Sequence, residues 1–197
     1  MASGSRLTFP PCLRPGHWLT LLSHSADYGE SSYIGPIDGA QPRSQSWVDG
    51  FDHSALQQIN AYYAAAFKTG SYPAITQDKV YLMARPHPAF ANAYADSVGP
   101  PTGREYSQDN MYALVFATSP STVTLSSGAG SQSFSVNAGV TRLQHALAAG
   151  GGMSAKITRN GADVVDFSPN FTFNGNPAVC ACLTVVPGLS PACRPAS

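Results

Sequence analysis

Charge is scarce in this chain: Asp, Glu, Lys and Arg make up 11% of its 197 residues, against about a quarter in ordinary globular domains. The eleven Lys and Arg are matched by eleven Asp and Glu. They are scattered, so no basic stripe exists to neutralise a run of phosphates, which argues against a nucleic-acid partner. Long apolar runs are missing too. Met111 to Ala117 and Leu183 to Val186 fall far short of the ~20 residues a membrane-crossing helix needs. Near the start, Pro10, Pro11 and Pro15 break up the apolar residues, and Trp18 to Leu22 is shorter than the ~7–15-residue core of a secretory leader. No signal peptide is visible.

Cysteine is also sparse. Cys12, Cys180, Cys182 and Cys193 are even in number, and the last three fall within the final eighteen positions, a spacing that fits no standard zinc pattern. In a strand, Cys180 and Cys182 share one face and point away from the backbone rather than at each other, so each needs another partner, for example Cys193. Small buried thiols are an equal alternative. Neither the pairing nor the redox compartment is fixed by these four residues. No ligand spacing suggests a metal or an organic cofactor, and the oligomeric state is open.

What the chain does have is Gly (18) and Pro (16), with many Ser and Thr, a profile that suits a secreted, strand-rich protein. Residues 1–25 mix Pro, Gly and Ser without clear periodicity. From Ser54 the pattern turns helical: Leu56, Ile59, Tyr63, Ala66 and Phe67 recur on one face, Ser54 stands at an N-cap position, and Gly70 stands at a C-cap position. Lys79 to Ala84 is a compact strand-like run closed by Arg85-Pro86-His87-Pro88, whose prolines forbid helix and regular strand. Val98 to Arg104 is turn chemistry throughout, which sets a domain boundary near residue 104.

Beyond it come short strand-like runs at Met111 to Ala117, Thr122 to Leu125, Ser133 to Val136, Ala155 to Thr158, Asp163 to Phe167 and Ala181 to Val186. Asn160-Gly161 between two of them predicts a two-residue hairpin, because a type I′ turn needs positive φ at both central positions. Strands at such spacing indicate a β-sandwich.

The chemically suggestive segment is Asp27-Tyr28-Gly29-Glu30-Ser31. Two carboxylates three residues apart flank a glycine free to take conformations barred to other residues, so a turn there can aim both acids into one cleft. Glycosidic hydrolysis needs such a pair, one protonated to donate to the leaving oxygen and one ionised to activate water or attack carbon. Tyr28 and Tyr33 would add sugar-facing rings.

Three ordered segments, DYGESSYIGP (Asp27 to Pro36), AYYAAAFKTGSYP (Ala61 to Pro73) and DKVYLMARPHP (Asp78 to Pro88), resemble consecutive end-of-barrel motifs of the glycoside hydrolase family 71 α-1,3-glucanases, or mutanases. The resemblance continues through SQDNMYALVFATSPSTVTL, FSVNAGVTRL and KITRNGADVVDF, covering roughly residues 26–175. It implies a TIM-type (β/α)8 catalytic barrel followed by a β-sandwich, and hydrolysis of α-1,3-glucan with inversion. It implies that Asp27 and Glu30 are the general acid and general base, in an order left open. It also implies an extracellular or cell-wall location. Relatives usually carry Trp-Asn before the Asp and His after the Glu-Ser, where this chain has Ser25-Ala26 and Ser32.

The expected fold is therefore α/β plus all-β: an irregular segment at 1–25, a partial remnant of the barrel at 26–104, and an immunoglobulin-like β-sandwich at 105–197. A whole barrel takes ~250 residues, so the expectation is a truncated form of such a hydrolase whose activity on its own is open, and a non-catalytic carbohydrate-binding or structural module is the alternative. His53, just before the helix, and Arg85, in the Pro-bounded loop with His87, are candidate sugar contacts; a capping role for the first and packing of the loop on the sandwich are the plain alternatives. Trp47 and Tyr106 are candidate sugar platforms. Asn170-Phe171-Thr172 is an N-glycosylation sequon.

Overall fold

The computed structural model describes residues 33–34, 54–95, 102–177 and 186–187. Helix α1 (Ser54–Thr69) forms where the helical period predicts it and stops at Gly70, whose φ of 74° is a left-handed value that glycine adopts without steric cost. Its N–H donates to the Ala66 carbonyl at 2.9 Å, satisfying an end of the helix that would otherwise lack a partner. A Cβ at Gly70 would meet nothing within 4 Å, so Gly70→Ala is expected to cost only the backbone strain, about 1 kcal/mol. A lowered denaturant midpoint with an unchanged m-value would register it.

Of the expected stripe, Leu56, Ile59, Tyr63 and Ala66 are half-buried, and the docking face also takes in residues beside it. Phe67 is 67% exposed, whereas Tyr62, absent from that stripe, sets its ring edge-on to Phe116 at 4.9 Å. On the same side the Tyr81 hydroxyl donates to Gln58 Oε1 at 3.0 Å. Aromatic partners on the sheet outweigh periodicity here, since such ring pairs add about 0.5–1.5 kcal/mol beyond their burial.

The strands are β1 (Lys79–Ala84), β2 (Asn110–Ala117), β3 (Ser121–Ser127), β4 (Gly130–Val136), β5 (Gly139–Ala146), β6 (Met153–Arg159), β7 (Ala162–Phe167) and β8 (Val186–Pro187). They make two four-stranded sheets, ordered β5-β2-β1-β8 and β4-β3-β6-β7, and every pairing is antiparallel. Period-two alternation then divides each strand. Leu82 and Ala84 of β1, with Met111, Ala113, Val115 and Ala117 of β2, point into one core, where they meet Val123 and Leu125 of β3 and Met153, Ala155 and Ile157 of β6. Phe171 and Phe173, beyond β7, close the same core. Fully burying such a side chain is worth about 1.5–3 kcal/mol, so this shared core dominates the fold. The opposite face of the first sheet presents Tyr81 and Phe116 to α1.

The described residues are thus mostly β-sheet with one α-helix, and they form no closed barrel. β1 precedes the turn-rich stretch at 98–104, yet it pairs with β2 from Lys79↔Phe116 to Met83↔Tyr112, so the first sheet continues across that stretch. Asn160 (φ 52°) and Gly161 (φ 80°) make the expected two-residue turn between β6 and β7. β7 then departs from regularity. Ile157 faces Val165 and Thr158 faces Asp163, so Val164 is an extra residue, a β-bulge. In a regular strand, residues three apart face opposite ways; the bulge brings Asp163 and Asp166 to one face, where both reach Lys156 Nζ, at 2.8 and 3.1 Å.

Candidate functional site

Of the residues that the sequence marks for chemistry, Asp27, Tyr28, Glu30, His53 and Trp47 lie outside the described residues. The irregular lead-in at 1–25, the four cysteines and most of the run from Ala181 to Val186 also lie outside them. Tyr33, six residues beyond Asp27, is described, and its ring is buried at 1% exposure.

Arg85 follows β1 directly. Its guanidinium Nη2 lies 2.6 Å from Asp109 Oδ1 and donates to the Gln108 carbonyl at 3.0 Å. Asp109 Oδ1 also accepts from the Ala89 backbone N–H at 2.9 Å. Two prolines deprive the Arg85–Pro88 loop of backbone donors, and this carboxylate supplies an anchor instead, fastening the loop to the start of β2. Further along, the Asn174 N–H donates to the Pro86 carbonyl at 2.9 Å, and His87, itself buried, places Nδ1 3.3 Å from the Asn174 carbonyl. The loop is packed against the two-sheet body, with Arg85 at its base. Asp109→Asn is expected to weaken this anchor by about 1 kcal/mol, the scale of a partly exposed charged hydrogen bond, read as faster amide exchange at Ala89.

Tyr106 stands 87% exposed on a short 3-10 turn, Arg104–Tyr106. Two further exposed rings, Phe90 and Tyr94, lie in the segment after Pro88, and the Arg104 guanidinium sits over the Phe90 ring at 4.9 Å to its centroid. Neither ring was marked by the sequence; the signal available was two aromatics in a charge-poor, proline-led stretch.

The strongest electrostatic feature lies at one end of the two sheets. Asp78 Oδ1 accepts from Arg159 Nη2 at 2.7 Å and from the Thr118 N–H at 2.9 Å, and Oδ2 accepts from the Thr118 hydroxyl at 2.9 Å and Arg159 Nη1 at 3.3 Å. The hydrogen bond from Arg159 foremost, with those from Thr118, holds the Asp78 carboxyl at a pKa of about 2, against an ordinary 3.8. Arg159 also donates through Nε and Nη2 to Ser121 Oγ, at 3.1 and 2.9 Å. The cluster joins the start of β1, the β2–β3 link and the end of β6. A carboxylate so satisfied and so acidic is a fastening between sheets; it is not poised to exchange a proton near neutrality. Tyr62 and Tyr81 have phenol pKa values raised by burial, which keeps both neutral. Among the described residues, no group of three or more His, Cys, Asp and Glu side chains could hold a metal ion, and no helix is long and apolar enough to cross a membrane.

Comparison with known proteins places the chain in a family. Residues 22–183 match the model of glycosyl hydrolase family 71. The chain is similar to the glucan endo-1,3-alpha-glucosidase of Schizosaccharomyces pombe, 35% identical over 158 residues that span 75% of this chain and 37% of that protein. A mutanase of Penicillium rubens is 29% identical over 161 residues, 75% of this chain and 36% of its own. The ascus wall endo-1,3-alpha-glucanase of Schizosaccharomyces pombe is 34% identical over 127 residues, 58% of this chain and 29% of its own. No solved structure matches the chain significantly. The chain belongs to glycosyl hydrolase family 71, and it spans a little over a third of the length of the first two relatives.

Proposed function

We propose that the chain takes part in hydrolysing α-1,3-glucosidic bonds of α-1,3-glucan, with Asp27 and Glu30 as the acid/base pair. The observation that supports this is that the match to the family spans residues 22–183, a range that includes the Asp27–Glu30 segment, and that a relative matching three quarters of the chain is named for action on this linkage. One carboxyl, protonated, donates to the departing glycosidic oxygen as the C1–O bond breaks. The other removes a proton from a water whose oxygen bonds to C1 from the opposite face. Inversion by this route needs the carboxyls ~6.5–9.5 Å apart, enough to admit the water.

In this reading residues 26–104 are a remnant of a TIM-type barrel, 105–197 an immunoglobulin-like β-sandwich, and 1–25 an irregular lead-in; β1 stays paired with β2 and ties the first part to the second. Tyr28, His53 and Arg85 contribute to the sugar-binding surface, Arg85 from the base of a loop whose anchor on Asp109 fixes its position; Tyr33, its ring buried, offers no face to a sugar. The protein works outside the cell or in the wall, as the ascus wall name of one relative suggests.

A second reading, a non-catalytic carbohydrate-binding or structural module, is favoured by one observation: among the described residues, both sheets close on a single hydrophobic core assembled within residues 82–173. Reducing-sugar release from insoluble α-1,3-glucan by the purified chain decides between them. Release that disappears in the Asp27→Asn, Glu30→Gln double variant supports the acid/base pair. Release that persists in the variant overturns it, and retention on the glucan without release from either protein establishes the second reading.

A further inference from the structure

Asn170-Phe171-Thr172 is the sole Asn-X-Ser/Thr sequence in the chain, and the proposed hydrolysis leaves it without a role. The structure gives it a defined setting. From Ser168 to Pro177 the chain runs without helix or strand, and side chains alternate: Asn170, Thr172 and Asn174 are exposed, Phe171 and Phe173 are buried. The two phenylalanines belong to the shared core. Backbone bonds hold the segment to the β5–β6 link, with Gly150 N–H donating to the Phe173 carbonyl at 2.6 Å and Phe173 N–H to the Gly151 carbonyl at 2.8 Å. Both side chains that a sequon requires, the Asn amide and the Thr hydroxyl, therefore stand on the solvent side of a segment pinned by its aromatic neighbours. Neither makes a side-chain bond that a glycan would break among those of the described residues.

We propose that Asn170 carries an N-linked oligosaccharide when the chain passes through a eukaryotic secretory pathway. The amide Nδ2 attacks C1 of the reducing-end sugar of a polyprenyl-pyrophosphate-linked oligosaccharide. The N–C1 bond forms, the C1–O bond to the pyrophosphate breaks, one amide proton is lost, and the polyprenyl pyrophosphate leaves. The Thr172 hydroxyl is the second element of recognition. Attachment occurs as the chain emerges, and the outward position lets the folded protein keep the bulk of the glycan in water without opening the core. The proposal is independent of the catalytic one.

The test is expression of the full chain behind a secretion leader in yeast, with total denatured protein treated with a glycosidic amidase in heavy-oxygen water and peptides read by mass spectrometry. The parent and Thr172→Ser are expected to yield oxygen-labelled Asp at position 170, and Thr172→Ala to lose the label, whether or not that variant folds. An unmodified Asn170 in the secreted parent overturns the proposal, and so does a label that persists in Thr172→Ala.

Discussion

Asp78→Ala is expected to lower the stability of the folded chain by about 3 kcal/mol, near the cost of removing one partner from a largely buried ion pair. The loss exceeds a surface ion pair because four donations converge on this carboxylate: two from Arg159 and two from Thr118. Its side chain is 12% exposed, so water cannot replace them fully, and the Thr118 N–H and the guanidinium lose their acceptor. By contrast, Lys156 between Asp163 and Asp166 sits in the open, where such pairs contribute little.

Sign and window follow from the carboxyl's acidity. The folded pKa, about 2, lies below the ordinary 3.8, so the contribution is full above pH ~4 and fades as pH falls towards 2; it amounts to roughly 2 kcal/mol by linkage. Denaturant midpoints of the parent should therefore fall more steeply between pH 4 and 2 than those of Asp78→Asn. A double-mutant cycle with Arg159→Met should give a coupling of at least about 1 kcal/mol, and additive losses would show that the two residues act separately.

Gly151→Ala should be comparably severe. A Cβ at residue 151 would lie 2.6 Å from both the Cα and the N of Gly128 and 3.1 Å from the Ala148 carbonyl oxygen. All three are backbone atoms, so no side chain can swing aside. Gly128 begins the β3–β4 turn and Gly151 lies in the β5–β6 link, whose neighbour Gly150 bonds to Phe173. Parting the two links would disturb the seating of Phe173 in the core. Overpacking of this kind costs about 3 kcal/mol, and thermal unfolding should show a drop of several degrees or more. Gly130→Ala, with nothing within 4 Å of the added carbon, separates the crowding from mere backbone strain.

The parts of the fold legible in the sequence are those that local chemistry decides. β1 was bounded by the prolines of Arg85–Pro88, α1 by Gly70, and the β6–β7 hairpin by Asn160-Gly161. β5 was missed because its inward positions are Gly139, Thr141, Leu143 and His145, opposite Ala117, Val115, Ala113 and Met111. Leu143 alone is strongly apolar, so the strand owes its place to pairing with β2 rather than to its own alternation. The Val164 bulge left no trace, since Asp163-Val164-Val165-Asp166 reads as an ordinary short strand. Asp78 and Arg159 are 81 residues apart, and nothing local links them. The same holds for Gly128 and Gly151, whose closeness is a property of two links and not of either sequence. For the candidate site, Asp27 and Glu30 were legible as a carboxylate pair around a glycine and as a motif, whereas the fastening of Arg85 by Asp109 depends on where β2 begins.

The bulge at Val164 bears finally on how these molecules behave in a crowd. β7 is the outer strand of its sheet among the described residues, and a bare outer strand invites the corresponding strand of another copy to stack alongside and start a fibre. Such stacking requires an unbroken run of evenly spaced backbone groups. Val164 breaks that run near its middle, and the bulge holds Asp163 and Asp166 side by side, so an approaching identical strand would bring a second pair of negative charges against the first. In a chain with so little charge to keep copies apart, one extra residue in β7 guards this edge against runaway aggregation.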